Sequence, residues 1–98
     1  MWDNTDQLAN LNRLRRNVII HSVIYYRFNR NIIENSDYDQ LCNRLAKMQE
    51  EHPELCEMAV FSEDFRDYDR CTGMQFIDHE WGVRAAERLL KSYRGGKR

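Results

Sequence analysis

Tyr25 and Tyr26 are adjacent in the chain, and Tyr38 and Asp39 follow a short polar stretch that contains Asn35. Aromatic faces attract flat cationic rings, and a carboxylate accepts hydrogen bonds from hydroxyl groups while it offsets positive charge. These residue types could therefore bind a small aromatic cation, provided that folding brings them together. The alternative is structural, because tyrosines often belong to a core while their hydroxyls reach solvent.

A first helix must carry the tyrosine pair. Apolar residues recur at intervals of three and four from Leu11 to Phe28, which predicts a helix over residues 4–30. The run Asn29-Arg30-Asn31 is suited to end this helix, since asparagine tolerates the left-handed backbone conformation found at helix ends. His21 occupies one position of the apolar stripe, where a hydrogen-bonded core histidine is the simplest interpretation.

A second helix is predicted over residues 36–52. Ser36 and Asp39 have the spacing of a capping box, so Asp39 has a structural explanation as well as a chemical one. Pro53 ends this helix, because proline cannot continue the hydrogen-bond ladder. The connection between the two helices is short, so we expect an antiparallel helical hairpin with the tyrosines at its turn.

The rest of the chain divides into two parts. Residues 53–77 lack a clear period and are interpreted as an irregular connecting segment, whereas residues 78–94 predict a C-terminal helix that Asp78 could cap. One proline, four glycines and frequent leucine, arginine and glutamate favour helix over sheet. We therefore expect residues 1–98 to form a single, mostly helical domain of the all-α class.

The charge balance and the cysteines constrain the class of protein. Fifteen basic and sixteen acidic side chains give a net charge of -1, so nucleic acid is not indicated as a partner. Three cysteines and a polar amino terminus predict reduced thiols and a cytoplasmic location. No stretch is apolar enough to predict a membrane-spanning helix. The arginines of the first helix are expected on a solvated face: Arg13, Arg15, Arg16, Arg27 and Arg30.

Metal binding and catalysis are not expected. The cysteines and histidines lack the C-x2-C or H-x3-H spacing of a zinc site. The sequence also contains no activated nucleophile and no convincing acid/base pair, so we expect the chain not to be an enzyme.

Three pieces of the sequence resemble a known family. Tyr25-Tyr26, then S-D-Y-D-Q-L over residues 36–41, then E-E-H-P-E-L over residues 50–55 occur without a gap relative to its pattern. On these motifs, residues 14–55 resemble the small N-terminal helical domain, of the Ia type, of bacterial NAD-dependent DNA ligases. The chain as a whole looks like a stand-alone relative of that domain, of the kind that a phage could encode.

The resemblance implies a ligand and a set of residues. In those ligases the domain closes over the nicotinamide mononucleotide (NMN) half of NAD, with aromatic residues on the nicotinamide and polar groups on the ribose and amide. Carried over, it implies that NMN or NAD, without a metal, is held by Tyr25, Tyr26, Asn35, Tyr38 and Asp39. Asn35 departs from the family, which commonly has an aspartate there, so a charge that would help to bind a cation is missing.

The lysines argue against ligase activity. Lys47, Lys91 and Lys97 are the lysines of the chain, and none lies in the K-x-D-G setting of the adenylated lysine. We therefore expect a non-catalytic binding module that is not a ligase by itself. It would bind a nicotinamide nucleotide or dock on a nucleotide-binding protein.

A second hypothesis uses the hairpin only as a scaffold. In this interpretation the chain is a small phage-type interaction module or an inhibitor of a host enzyme, so a protein partner is expected in either case. Its contact surface would include residues 61–76, where aromatic residues and arginines mix as they do at many interfaces.

Overall fold

In a computed structural model of the chain, residues 4–30, 32–66 and 74–92 are described. They form four α-helices and one short 3-10 helix, and no strand occurs among them, so the predicted all-α class is confirmed. None of these helices is long and apolar enough to cross a membrane. The elements in chain order are α1 (Asn4–Tyr26), α2 (Asn35–Glu51), α3 (Pro53–Cys56), the 3-10 helix (Met74–Phe76) and α4 (Glu80–Ser92).

Helices α1 and α2 form the antiparallel hairpin that the sequence predicts. Ser22 of α1 hydrogen-bonds Tyr38 near the start of α2, whereas Arg15, farther back in α1, hydrogen-bonds Gln49 near the end of α2. Contacts therefore run backwards along α1 as they run forwards along α2. This arrangement places the tyrosines at the closed end of the hairpin.

Helix α1 ends at Tyr26 rather than at residue 30. The backbone N–H groups of Arg27 and Phe28 both donate to the carbonyl of Val23, at 2.8 and 3.2 Å, so the regular ladder is lost there. Asn29, the first residue of the predicted helix end, adopts the left-handed conformation with φ 57°. The helical pattern continued too far because Phe28 still packs against the core after the helix has ended.

The predicted capping box at the start of α2 is wrong. The N-cap residue is Glu34, whose extended backbone precedes the first turn and whose side chain makes no capping hydrogen bond. The N–H of Tyr38 donates to the Glu34 carbonyl at 3.0 Å, so Ser36 already lies inside the helix. Asp39 consequently has no capping function, because its carboxylate lies one turn beyond the free N–H groups.

The core surrounds α1, which packs against α2 on one side and against α4 on another. Its apolar side chains come from the hairpin, from α3 and the turns after it, and from the C-terminal elements. The members that are buried most are Leu11, Val18, Ile19, Val23, Ile24, Cys42, Leu45, Leu55, Ala59, Phe65, Phe76 and Ala86.

The interface between α1 and α4 depends on Gly82. A Cβ atom at this position would lie 2.5 Å from Cγ2 of Ile19 and 3.3 Å from Cγ2 of Val23. Both neighbours are β-branched and have little rotamer freedom, so they could not move aside cheaply. The glycine therefore lets the two helices approach more closely than an alanine would allow.

The N-cap of α4 is His79 and not the predicted Asp78. The Nδ1 atom of His79 accepts a hydrogen bond from the N–H of Gly82 at 3.0 Å. Asp78 instead pairs with Arg27 at 2.9 Å and ties α4 to the end of α1. Asparagine and aspartate are the commoner caps, which is why the sequence pattern favoured the carboxylate. The predicted end of this helix at residue 94 lies outside the described residues.

The predicted irregular segment over residues 53–77 contains two short helices. α3 begins at Pro53, and the 3-10 helix lies near the end of the segment, while turns occupy the described part between them. Residues 67–73 lie outside the described part. Phe61 has a left-handed backbone with φ 59°, a conformation that bulky residues seldom adopt, so tertiary contacts must hold it there.

Arg15 holds the turns of this segment against α1. The residue is 1 % exposed. Its Nη1 atom donates to the carbonyls of Cys56 at 3.1 Å and Val60 at 3.0 Å. Its guanidinium also lies 5.1 Å from the centre of the Phe65 ring. Desolvation by burial lowers the pKa of Arg15. The predicted solvated arginine face is therefore wrong for this residue, although Arg13 and Arg16 are exposed as expected.

The aromatic residues between positions 61 and 76 were predicted to form a protein-contact surface. Phe65 and Phe76 are instead buried against each other, with ring centres 4.9 Å apart, and Phe61 packs beside His79 and Trp81. These rings form part of the core. Residues 67–73 of the predicted surface lie outside the described part, and the hypothesis of a protein-contact surface in this segment stays a prediction.

Candidate functional site

The tyrosines at the closed end of the hairpin form one cluster, as the sequence predicted. The rings of Tyr25 and Tyr38 are nearly parallel, with an interplanar angle of 25° and centres 6.2 Å apart. Tyr26 meets Tyr25 edge-on at 4.8 Å. Tyr25 is the exposed member, at 40 % of its surface, so it presents an aromatic face to solvent.

Tyr38 is held from within the fold. Its hydroxyl lies 2.6 Å from Oγ of Ser22, which is fully buried in α1. Burial raises the pKa of Tyr38, the hydrogen bond to Ser22 opposes that shift, and the phenol stays neutral. The ring therefore has a fixed position against the core, but the hydroxyl bonds a buried serine and does not reach solvent as the structural interpretation expected. Ser22 was missed in the sequence because a lone serine in an apolar stretch carries no pattern.

A narrow cleft opens beside the tyrosines, and the space that a water molecule can enter there is about 10 Å³. That is room for about one water molecule. Two aromatic planes must also separate by roughly 7–8 Å to accept a third between them, given van der Waals contacts of about 3.5–4 Å. A ring-shaped ligand must therefore lie on the outer face of Tyr25 or turn that side chain aside. The residues around the cleft are His21, Ile24, Tyr25, Arg30, Ile32, Ile33, Asn35 and Tyr38.

Three of the five predicted binding residues, Tyr25, Asn35 and Tyr38, line this cleft. Tyr26 touches the cluster through Tyr25, and neither it nor Asp39 lines the cleft. Asp39 is exposed on the first turns of α2 and forms no hydrogen bond or ion pair within the described part of the chain. Its carboxylate remains available to a ligand that extends beyond the cleft.

Two further residues line the cleft. His21 is half-buried there, and desolvation lowers its pKa, so its imidazole is neutral near pH 7. A neutral ring does not repel a cationic ligand. Arg30 also borders the cleft from the turn after α1, where the sequence had suggested only a solvated face. No sequence pattern indicated that Arg30 borders the cleft.

A metal centre has no support in the described ranges, where no group of three or more His, Cys, Asp or Glu side chains could hold an ion. The side chains that line the cleft are mainly apolar and aromatic, together with the amide of Asn35 and the guanidinium of Arg30. The aromatic faces suit a flat ring, and the carboxylate of Asp39, which lies outside the cleft, suits hydroxyl groups. A flat ring enters only if Tyr25 turns aside, and it can otherwise lie on the outer face of Tyr25.

The fold and the site define a class: a small helical hairpin domain with an aromatic corner at its closed end. The family described as the DNA ligase-like, N-terminal NAD+-binding domain matches residues 4–59, and the chain belongs to this family. The match covers α1, α2 and α3 and ends before the 3-10 helix and α4. Neither a curated protein nor a solved structure matches the chain.

Proposed function

We propose that this chain is a non-catalytic module that binds NMN, or the NMN half of NAD, at the tyrosine corner. Membership of an NAD+-binding family supports the ligand class. The observation that carries the proposal is the exposed ring of Tyr25 stacked beside the fixed ring of Tyr38 at the mouth of the cleft. This arrangement offers an aromatic face to a cationic nicotinamide ring.

The proposed mode of binding assigns a task to each group. Tyr38 is held by Ser22 and supplies a rigid wall, while Tyr25 turns to admit the ring and then covers it. Asn35 lies at the edge of the cleft, where its side chain can bond the carboxamide, and the unpaired carboxylate of Asp39 accepts from the ribose hydroxyls. Binding, without a chemical step, is the whole of the proposed activity.

The narrowness of the cleft favours a second protein as part of the site. Typical small-molecule sites bury about 70–90 % of the ligand surface. A cleft with about 10 Å³ of enterable space leaves most of a nucleotide uncovered. We therefore include in the proposal that the module docks on a nucleotide-binding protein, which would cover the remaining surface of the ligand.

Substitution of Tyr25 tests the proposal, because this side chain is exposed and its loss should leave the fold intact. NMN and NAD are titrated against the 15N-labelled chain, and we expect shifts at the amides of Asn35 and Tyr38. Tyr25→Ala should weaken binding about tenfold, since a cation on an aromatic face contributes roughly 0.5–2 kcal/mol. Met58→Ala is the matched control, as Met58 is 66 % exposed and lies outside the corner.

Absence of any shift around Tyr38 at millimolar NMN or NAD would refute nucleotide binding by the isolated chain. If a protein partner is then captured with equal affinity by the wild type and by Tyr25→Ala, the chain acts as an interaction module that uses the hairpin as a scaffold. Loss of capture in Tyr25→Ala would instead indicate that the corner is itself the docking surface.

Asn35 offers a test in the opposite direction. It is the first residue of α2, and Asn35→Asp introduces a carboxylate at the edge of the cleft. The new charge should tighten binding of the cationic ring, and it is compatible with the positive end of the helix. Unchanged affinity for NMN in this variant would place the ring away from Asn35.

A further inference from the structure

An open groove of about 520 Å³ lies between the turn after α1 and the last turns of α4. It is lined by the apolar side chains of Phe28 and Leu90 and by the charged side chains of Arg30, Glu87 and Lys91. Arg30 also borders the narrow cleft beside Tyr25 and Tyr38, so one side chain separates the two spaces. A ligand seated at the tyrosine corner can extend past Arg30 into this groove.

The two cations at the groove, Arg30 and Lys91, form no ion pair with any residue that the structure describes. Within residues 4–30, 32–66 and 74–92, other basic side chains do form ion pairs, among them Arg27 with Asp78 and Arg84 with Glu80. Neither Arg30 nor Lys91 lies within ion-pair distance of a carboxylate in these ranges, including that of the neighbouring Glu87. Their charges are therefore available to an anion.

The backbone at Arg30 is fixed although its side chain is exposed. Its N–H donates to the carbonyl of Ile24 at 3.0 Å, and Asn29 before it is held in the left-handed conformation with φ 57°. The guanidinium therefore extends from a defined point between the cleft and the groove. Lys91 lies in the last turn of α4 and borders the same groove.

We propose that Arg30, together with Lys91, binds the phosphate of a nicotinamide nucleotide whose ring lies at the tyrosine corner. This inference rests on the proposed function and deepens it, because it makes the site selective for the phosphorylated nucleotide over the nucleoside. A guanidinium donates paired hydrogen bonds to two phosphate oxygens, and an ammonium adds a compact second charge. Glu87 also borders the groove, and its carboxylate disfavours additional negative charge there.

The test compares NMN with nicotinamide riboside, which carries the same ring and ribose without the phosphate. Both are titrated against the wild-type chain at fixed ionic strength, with the amides of Asn35 and Tyr38 as reporters. We expect NMN to bind about tenfold or more tightly, since a charge-assisted hydrogen bond typically contributes more than a tenfold change in affinity. Inorganic phosphate serves as a third ligand and should compete weakly with NMN and not with the riboside.

Three variants test which side chains produce the preference for NMN over the riboside. Arg30→Gln should remove most of the preference for NMN without weakening the binding of the riboside, and Lys91→Gln should reduce the preference by a smaller factor. Arg44→Gln is the matched control, because Arg44 is an exposed arginine of α2 that borders a different groove, beside Asp37 and Gln40. It should leave both affinities unchanged.

The outcomes separate this inference from the proposed function. Equal binding of NMN and riboside, or an equal loss of both in Arg30→Gln, overturns the phosphate site and leaves nicotinamide binding in place. Failure of both ligands and of NAD to shift the Tyr38 amide overturns both claims together. A preference for NMN that survives Arg30→Gln and Lys91→Gln places the phosphate elsewhere and also overturns the inference.

Discussion

The hydroxyl of Tyr38 lies 2.6 Å from Oγ of Ser22, and this hydrogen bond joins α2 to the fully buried face of α1. It fixes the ring of Tyr38, which packs against the core and also lines the cleft. The fold and the candidate site therefore share a residue, and the two contributions of Tyr38 can be separated by experiment.

A double-mutant cycle measures the structural contribution. Tyr38→Phe leaves the Ser22 hydroxyl buried without its partner, which should lower the free energy of unfolding by about 1–3 kcal/mol. Ser22→Ala combined with Tyr38→Phe should cost less than the sum of the single changes, because both polar groups are then absent. Urea denaturation provides the three values. Strict additivity would mean that the two hydroxyls do not interact.

Arg15 should be the basic residue on which stability depends most. Arg15→Met leaves the carbonyls of Cys56 and Val60 and the side chain of Gln49 without their donor, at a cost of about 3 kcal/mol or more. Arg16→Met is the matched control, because Arg16, the next residue of α1, is exposed. Thermal unfolding followed by circular dichroism compares them. Equal midpoints would contradict the assignment of Arg15 as the link between α1 and the turns.

Arg15→Lys distinguishes charge from shape at the same position. Lysine keeps the positive charge, but its ammonium cannot donate in the planar fork that reaches two carbonyls and the amide of Gln49 together. The variant should therefore unfold at a lower urea concentration than the wild type. Full stability in Arg15→Lys would show that the charge alone is sufficient.

The cap of α4 can be tested by exchange of its acceptor. His79→Ala removes the bond to the N–H of Gly82 and should cost about 1 kcal/mol from the cap alone, while His79→Asn should recover that part. Asp78→Ala removes only an exposed ion pair and should cost at most about 1 kcal/mol. Urea denaturation measures the stability of each variant, and hydrogen exchange at the Gly82 amide reports the loss of the cap. If His79→Ala and His79→Asn lose the same stability, the effect of His79 comes from packing and not from the cap.

His21 predicts a pH dependence of stability. Burial lowers its pKa in the folded state below the usual value of 6.5 that applies when the chain is unfolded. As pH falls through about 6.5, the unfolded state takes up a proton first, so the free energy of unfolding decreases until the folded-state pKa is passed. Above that window His21 contributes no pH dependence.

The comparison with His21→Gln isolates this contribution from other titrating groups. The difference in unfolding free energy between wild type and variant should be constant above pH 7.5 or so and should change as the pH falls below about 6.5. Urea denaturation across that range measures it. A difference that does not vary with pH would mean that His21 titrates alike in the folded and unfolded states.

Much of the fold could be predicted from local patterns. The apolar period of α1, the stop at Pro53 and the left-handed Asn29 each depend on residues close in sequence, and the hairpin followed from them. The helix boundaries shifted where tertiary packing overrode a local signal. Phe28 continued the apolar period after α1 had ended, and Glu34 set the start of α2 without a side-chain cap.

The residues of the candidate site also divide into those that local patterns predicted and those that tertiary packing placed there. The type and spacing of Tyr25 and Tyr38 indicated an aromatic corner, because two helices joined by a short turn must bring their adjacent ends together. Ser22, His21 and Arg30 entered the site only through packing, since each lies on a face whose orientation the sequence pattern leaves open.

By itself, then, the sequence determined an all-α hairpin, its antiparallel sense and the aromatic residues at its closed end. These depend on periodicity and turn length, which are local properties. The tertiary structure decided that Arg15 is buried, that His79 caps α4 and that the cleft beside the tyrosines is narrow. Those features arise where residues far apart in the chain compete for the same space and the same hydrogen-bond partners, and no local pattern encodes the result of that competition.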